Sequence, residues 1–474
     1  MNPSTDNPSA SAPGLSRRRF LGGAGATLGA LTLAPLFAAP AKPVPAPPTS
    51  RPRGIDPFAI EGDAIVIPAG SYHPGDRRVT VTQRAALQIA PADVVTIRDE
   101  KLLLSADKPG GFFTGTKLKG TLAKNIGAFH SLIEESVTLR DASGRTLRRG
   151  EDYLVSARFA LLGIGPKATV TTQTPVFATY SFYTQRIDAI AVDATGMPFL
   201  VPGTARLYSP DIPPVSRGAT AIATVYRPFR GVSLAPEHVF PITAAAATAP
   251  TVTNRGRVPK TLRKLQSGEP ATIVCWGDSI AVGADVEPAE AWANLVRVTL
   301  REQFPRANVI HKNHSIGGSK TAQWLHNGDF PGLPKKDPQK CRFEHILAEK
   351  PDLVIMEFIN DIVFPEDVLQ RTYASIHEQF SRRGSEWLIV TPSQKIPENF
   401  DLAEMTDGQP RLLDNFLRRF AREHGCALAD AAARWKHLHR EGIPYFSLFN
   451  NAYNHPNAFG HRLFVEEIMK CFRA

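Results

Sequence analysis

The chain has 474 residues, more than one hydrophobic core usually organises, so its length favours two folded domains. Hydrophobic residues make up 43% and charged residues 21%, and past the first forty positions no apolar run is long enough to span a bilayer, which argues against an integral membrane segment in the rest. The formal charge of +10 is spread among carboxylates with no dense basic stripe, so nucleic-acid binding has little support, and attraction to acidic polysaccharide is only weakly motivated.

At the N-terminus, Ser16-Arg17-Arg18-Arg19-Phe20-Leu21 precedes an uncharged Gly/Ala/Leu stretch, and Ala39-Pro40-Ala41 offers small residues for cleavage. This resembles a twin-arginine export signal over residues 1–41, which implies a bacterial periplasmic or secreted protein; the other reading is a short anchor that stays attached. Three arginines against Asp6 in that segment leave a formal charge of +8 on the remainder. Residues 42–53 are Pro-rich and read as an extended linker.

Over residues 54–243 short β-branched and aromatic runs are punctuated by Gly, Pro and Asp. Strands are predicted at residues 64–68, 78–82, 94–97, 136–140, 146–149, 167–172, 177–182, 187–192 and 220–226. Turn signals at Asp141-Ala142-Ser143-Gly144 and Asp193-Ala194-Thr195-Gly196 suit hairpins. With almost no helical periodicity, this region reads as an all-β, sandwich-like accessory domain. Its aromatic residues, Tyr72, Phe112, Phe113, Tyr180, Phe182 and Tyr183, can stack on sugars, but strand alternation assigns more of them to the core. His73, His130 and His238 are too dispersed to make a metal site.

Residues 244–268, small and polar, read as a second linker. From 269 to 474 apolar strands alternate with amphipathic helices: strands near 272–276, 308–312, 353–358, 387–391 and 427–430, and helices near 289–304, 366–382 and 410–424. That alternation predicts an α/β domain, a parallel sheet covered by helices on both faces, with reactive groups at the carboxyl ends of the strands. The four cysteines, Cys275, Cys341, Cys426 and Cys471, form no CxxC pair. Cys275 and Cys426 fall inside apolar runs and read as buried; a disulfide between Cys341 and Cys471 is left open.

The first of these strands ends in Trp276-Gly277-Asp278-Ser279, which delivers a serine where strand gives way to turn. A glycine permits the sharp turn, and backbone N–H groups at the start of a following helix can face developing negative charge. Three more blocks follow in order: Asn313-His314-Ser315-Ile316-Gly317-Gly318, Glu357-Phe358-Ile359-Asn360-Asp361, and Asn454-His455-Pro456-Asn457-Ala458-Phe459-Gly460-His461. Together they resemble the SGNH/GDSL hydrolases over about Ala271 to Ala474. The resemblance implies a flavodoxin-like three-layer fold, Ser279 as nucleophile, His455 as its base, and Gly318 and Asn360 as oxyanion donors beside the Ser279 N–H. His461 reads as structural, and neither a metal nor an organic cofactor is implied.

Two positions depart from the family pattern. Phe358 stands where a glycine is usual, and Ala452 stands where the family commonly has the aspartate that orients the histidine. Substitutes for that acid are the side chains of Asn451 or Asn454, a carbonyl in the 449–453 loop, or a carboxylate brought in by folding, such as Asp430 or Asp361. The resemblance thus implies an exported esterase that works through an acyl-serine on O-acyl groups, favouring O-acetyl groups on carbohydrate. A short-chain or lipid esterase of the same mechanism is the alternative. A polymer-binding protein with an impaired hydrolase domain is the reading that the missing acid motivates.

Overall fold

A computed structural model describes residues 57–227, 233–245, 257–396 and 411–473. The proposed export signal and the Pro-rich stretch after it lie outside the described residues. Among the described residues no helix is long and apolar enough to cross a membrane.

The N-terminal part is rich in antiparallel strands, arranged as several small sheets. In one, Pro175–Tyr183 lies between Leu132–Asp141 and Val94–Leu103. Its residues alternate strictly between buried and half-buried, so one face carries Val176, Ala178, Tyr180 and Phe182 into the core. A second sheet, Tyr153–Ser156, Leu161–Ile164 and Thr116–Lys117, supplies Tyr153 and Leu162 to that same core. A four-stranded sheet places Arg186–Val192 between Pro198–Val201 and Thr220–Arg227, and Ile190, Val192 and Val225 pack there against Ile65 and Ile67. Arg186–Val192 is buried along its whole length, and apart from Arg186 and Asp188 its residues are apolar. The charge within it is neutralised locally, the Arg186 guanidinium gripping the Asp188 carboxylate at 2.7 and 2.9 Å.

The strand predicted at 167–172 is a loop. Pro166 precedes it, Lys167 N–H is taken by Glu151 O (2.9 Å), and the Thr171 and Thr174 hydroxyls bond within the loop, which leaves no ladder for the β-branched residues to join. The turn at Asp141–Gly144 is present, closed by the Asp141 carboxylate accepting from Ser143 and Arg145 N–H, but the returning segment forms isolated bridges, Arg140 with Thr146 and Arg149 with Tyr153, instead of a strand.

The C-terminal part is built on five parallel strands: β1 (Pro270–Gly277), β2 (Asn308–Asn313), β3 (Leu353–Glu357), β4 (Glu386–Val390) and β5 (Ala427–Ala429). They lie in the order β2-β1-β3-β4-β5, the doubly wound 2-1-3-4-5 arrangement. Alternate residues point to opposite faces. Ile273, Cys275, Ile355, Leu388 and Ala429 enter one cluster, with Trp292, Val296 and Leu300 of the helix Trp292–Gln303 and Leu463, Phe464 and Ile468 of the helix Ala458–Lys470. Val274, Trp276, Val354, Met356 and Ile389 enter the other, against Tyr373, Ile376 and Phe380 of the helix Glu366–Arg382 and Phe416 and Phe420 of the helix Leu412–His424. Cys341 belongs to the second cluster and Cys471 to the first, so the sheet separates them, and all four cysteines are free thiols.

Within the predicted linker 244–268 the chain forms a helix, Pro259–Ser267. Proline opens its first turn, the Glu386 carboxylate accepts from the N–H groups of Lys260 and Thr261 (2.7 and 2.9 Å), and Gly268 at φ +85° ends it. Leu265 seats it in the core. One apolar stripe of this length is easily lost among the surrounding lysines and arginines.

The β-rich part shares the first core cluster. Phe129, Ile187, Tyr226 and Phe240 pack with Trp435, Phe446 and Phe449, the Tyr226 and Phe446 ring centroids being 4.4 Å apart. Backbone bonds cross the junction as well, Thr243 and Ala244 N–H donating to Arg440 O at 2.8 and 2.9 Å.

Candidate active site

Strand β1 ends at Gly277, whose backbone lies so close to β3 that a Cβ there would stand 2.3 Å from Glu357 O. Only glycine fits. Asp278 follows as the N-cap of the short helix Ser279–Val282; its carboxylate accepts from Ile280 N–H (3.1 Å) and, across the sheet, from Asn360 N–H (3.0 Å). One buried carboxylate therefore ties the turn that carries Ser279 to the turn that carries Asn360. Burial pushes Asp278 up to about 6, opposed by those hydrogen bonds.

The structure brings Ser279 and His455 together, Ser279 Oγ lying 2.9 Å from His455 Nε2. On the other side of the ring Nδ1 lies 2.5 Å from Oδ2 of Asp285. That carboxylate is the group sequence reasoning missed. It comes from the loop just after the Ser279 helix, not from the segment before the histidine, and both side chains are largely buried, at 14% and 11% exposed. The proposed substitutes are engaged elsewhere. Asp430 accepts from Thr391 Oγ1 and Arg418, and Asp361 from Thr321 and Tyr373. Asn451 Oδ1 takes the backbone N–H groups of Tyr453, Asn454 and His455 while its amide donates to Asn454. Asn451 thereby shapes the histidine loop without reaching the ring.

Ala452 has a physical reason to be apolar. It is buried at φ +53° and packs with Ala123 and Ala128 of the β-rich part, where a carboxylate would face methyl groups instead of water. The only sequence signal for Asp285 was an acid shortly after a serine, a pattern too common to single out.

Gly318 sits at φ +69°, a conformation that favours glycine, in the loop after β2. Its neighbour Gly317 lies alongside Ser279, since a Cβ on it would be 3.8 Å from Ser279 Cβ. The loop is held by Ile316 N–H to Gly277 O (3.0 Å) and Asn313 Nδ2 to Ala281 O (3.0 Å). The Asn360 side-chain amide is buried and has no hydrogen-bond partner among the described residues. An unpaired buried donor costs stability unless a partner arrives to take it. Phe358, the departure from the family glycine, is buried edge-on against Trp276 at 5.1 Å. It adds to the core beneath the site.

Below these turns lie two more buried carboxylates. Burial pushes Asp361 up to about 7, although Thr321 and Tyr373 donate to it. Glu357 has neither carboxylate oxygen paired among the described residues and is raised well above the usual range, by burial first and by Asp278 second. His461 is buried, accepts from Trp292 N–H (3.2 Å) and is pushed down to about 3 by desolvation, so it holds the helix Trp292–Gln303 as a neutral ring. Among the described residues no three His, Cys, Asp or Glu side chains converge as a metal site would need.

Residues 275–463 match the model of the GDSL-like lipase/acylhydrolase family. No curated protein matches the chain. Similar solved structures include a two-domain esterase active on acetylated mannans (20% identity, TM-score 0.34, 45% of this chain and 52% of that one). They also include an acetyl xylan esterase from Geobacillus stearothermophilus (17%, TM-score 0.33, 43% and 94%) and a member of the lipolytic G-D-S-L family from Veillonella parvula (19%, TM-score 0.29, 42% and 96%). The chain thus spans about half the length of the mannan-active esterase. Through residues 275–463 and the parallel sheet they build, the C-terminal part of this chain carries a GDSL/SGNH hydrolase domain.

Proposed function

We propose that the chain is an exported serine esterase that removes O-acyl groups, O-acetyl in particular, from carbohydrate. The observation that carries the reading is the continuous line from Ser279 Oγ through the His455 ring to Asp285, beside the unpartnered amide of Asn360. In this mechanism His455 Nε2 takes the Ser279 proton as the oxygen attacks the ester carbonyl, and Asp285 holds the ring in the tautomer that makes Nε2 the base. The oxyanion meets the N–H groups of Ser279 and Gly318 and the Asn360 amide, donors typically worth ~3 kcal/mol each. His455 then returns the proton to the departing alcohol, and a water activated by the same ring releases the acid.

Export rests on the resemblance of residues 1–41 to a twin-arginine signal. For the substrate, the reading rests on the proposed export together with the antiparallel, β-rich part that precedes the hydrolase domain, an arrangement that resembles bacterial carbohydrate esterases. With Asp285 on His455, the motive for reading the domain as an impaired hydrolase falls away.

The test is a panel of acetylated saccharides and p-nitrophenyl esters of increasing chain length, run with wild type, Ser279→Ala and His455→Ala. Hydrolysis of the acetyl substrates that disappears in both variants is expected. A preference for long acyl chains would overturn the substrate, and turnover surviving in Ser279→Ala would overturn the mechanism.

A further inference from the structure

Asp285 occupies a strained position. Its φ is +68°, in the left-handed region that a residue with a Cβ seldom adopts, and it follows a short helix already closed by Gly283. A carboxylate on such a loop stays aimed at an imidazole only if its backbone is held, and three hydrogen bonds through Asn450 do this. Asn450 Nδ2 donates to Asp285 O at 3.0 Å, and Asn450 N–H donates to His455 O at 2.8 Å. Ser209 Oγ donates to Asn450 Oδ1 at 3.2 Å. The orientation of the amide is dictated by chemistry, since a carbonyl only accepts, so the NH₂ must face Asp285 and the oxygen is left for the serine hydroxyl. Ser209 belongs to the β-rich part and is itself at φ +45°. One residue therefore grips the backbones of both the acid and the base, and the β-rich part sets its side chain.

We infer that Asn450 is a positioning residue for the Asp285–His455 pair and that Ser209 makes the β-rich part a working component of the active site. The inference rests on Asp285 serving as the acid of the proposed mechanism. It assigns the β-rich part a role beyond substrate binding: this part keeps the acid aimed.

The experiment follows the rate at which a fluorophosphonate modifies Ser279 in the full chain, with kinact and KI separated, so the readout does not depend on the natural substrate. Asn450→Ala and Asn450→Asp are expected to lower kinact about five- to tenfold at unchanged KI, the scale of one lost hydrogen bond. Ser209→Ala is expected to lower it about twofold, with Ser209→Thr restoring the rate. The decisive arm is the Asp285→Ala background, which keeps the backbone carbonyl but removes the carboxylate. There Asn450→Ala is expected to cost nothing further, because its effect runs through the missing group. An undiminished kinact in Asn450→Asp, or the same fold-loss with and without Asp285, overturns the inference. If Asn450→Ala fails to fold, Asn450→Asp and the Ser209 pair carry the test. Full labelling in Asp285→Ala would sink the acid assignment and this inference together, whereas no labelling of wild type at all would count against the esterase itself.

Discussion

Asp285 and His455 are 170 positions apart in the chain, and their side chains meet at 2.5 Å. The imidazole is held between two groups of one short segment, Ser279 on Nε2 and Asp285 on Nδ1. Such an arrangement leaves Ala452, three residues before the histidine, to pack against the β-rich part.

If Asp285 fixes the tautomer, Asp285→Asn lowers kcat on p-nitrophenyl acetate by about 10²- to 10⁴-fold, the range set by the acid of other serine triads. Asp430→Asn leaves it within a few-fold, because Asp430 serves Thr391 and Arg418. Steady-state kinetics on the two variants separates the outcomes.

Removing the Asn360 amide has opposite effects on rate and stability. Asn360→Ala takes away the proposed oxyanion donor and is expected to cost about 10²- to 10³-fold in kcat with little change in KM. It also deletes a buried donor that the resting protein leaves unpaired, so chemical denaturation is expected to show no loss of stability. A drop in both would mean that the amide has a structural partner.

Gly277→Ala forces a methyl to within 2.3 Å of Glu357 O and 2.5 Å of Ala281 Cβ. Because the first obstacle is backbone in the middle of the sheet, the strand end must move, at a cost of about 1–3 kcal/mol. Urea denaturation measures the loss, and activity is expected to fall with it, since the shifted strand carries Ser279.

The buried carboxylates bear on the pH dependence of stability. Asp361 is raised from 3.8 to about 7, so between those values the folded chain holds a proton that the unfolded chain has released. Its contribution is fully present below about pH 4 and is lost as pH rises through about 7. Asp361→Asn cannot ionise, so the stability of wild type relative to this variant should decline from pH 4 to pH 8 in denaturant titrations. His461, lowered from 6.5 to about 3, works in the opposite sense, favouring the folded state as pH rises across that interval. Comparing the two chains isolates Asp361. A difference that does not change with pH would place its proton elsewhere.

The alternation of strand and helix from β1 onward was legible because β3, β4 and β5 are buried almost throughout and are largely apolar, whereas the edge strand β2 buries only Val309. The antiparallel strands were legible where one face is buried, as in Pro175–Tyr183, and misleading at 167–172, where β-branched residues had no neighbouring edge to join. The helix Pro259–Ser267 escaped notice because so few of its residues enter the core.

By itself the sequence offered Ser279, His455, Gly318 and Asn360 as candidates, through the resemblance of four ordered blocks to the SGNH/GDSL hydrolases. It also determined the strand order's raw material, the apolar runs. The carboxylate on His455 was decided only by tertiary structure. A carboxylate's effect on an imidazole depends on distance and angle, which Asp285 acquires from a left-handed backbone held by Asn450 and Ser209, three segments that no spacing rule connects. Folding likewise decided that the β-rich part reaches the site, because its contribution is a shared core and one hydroxyl.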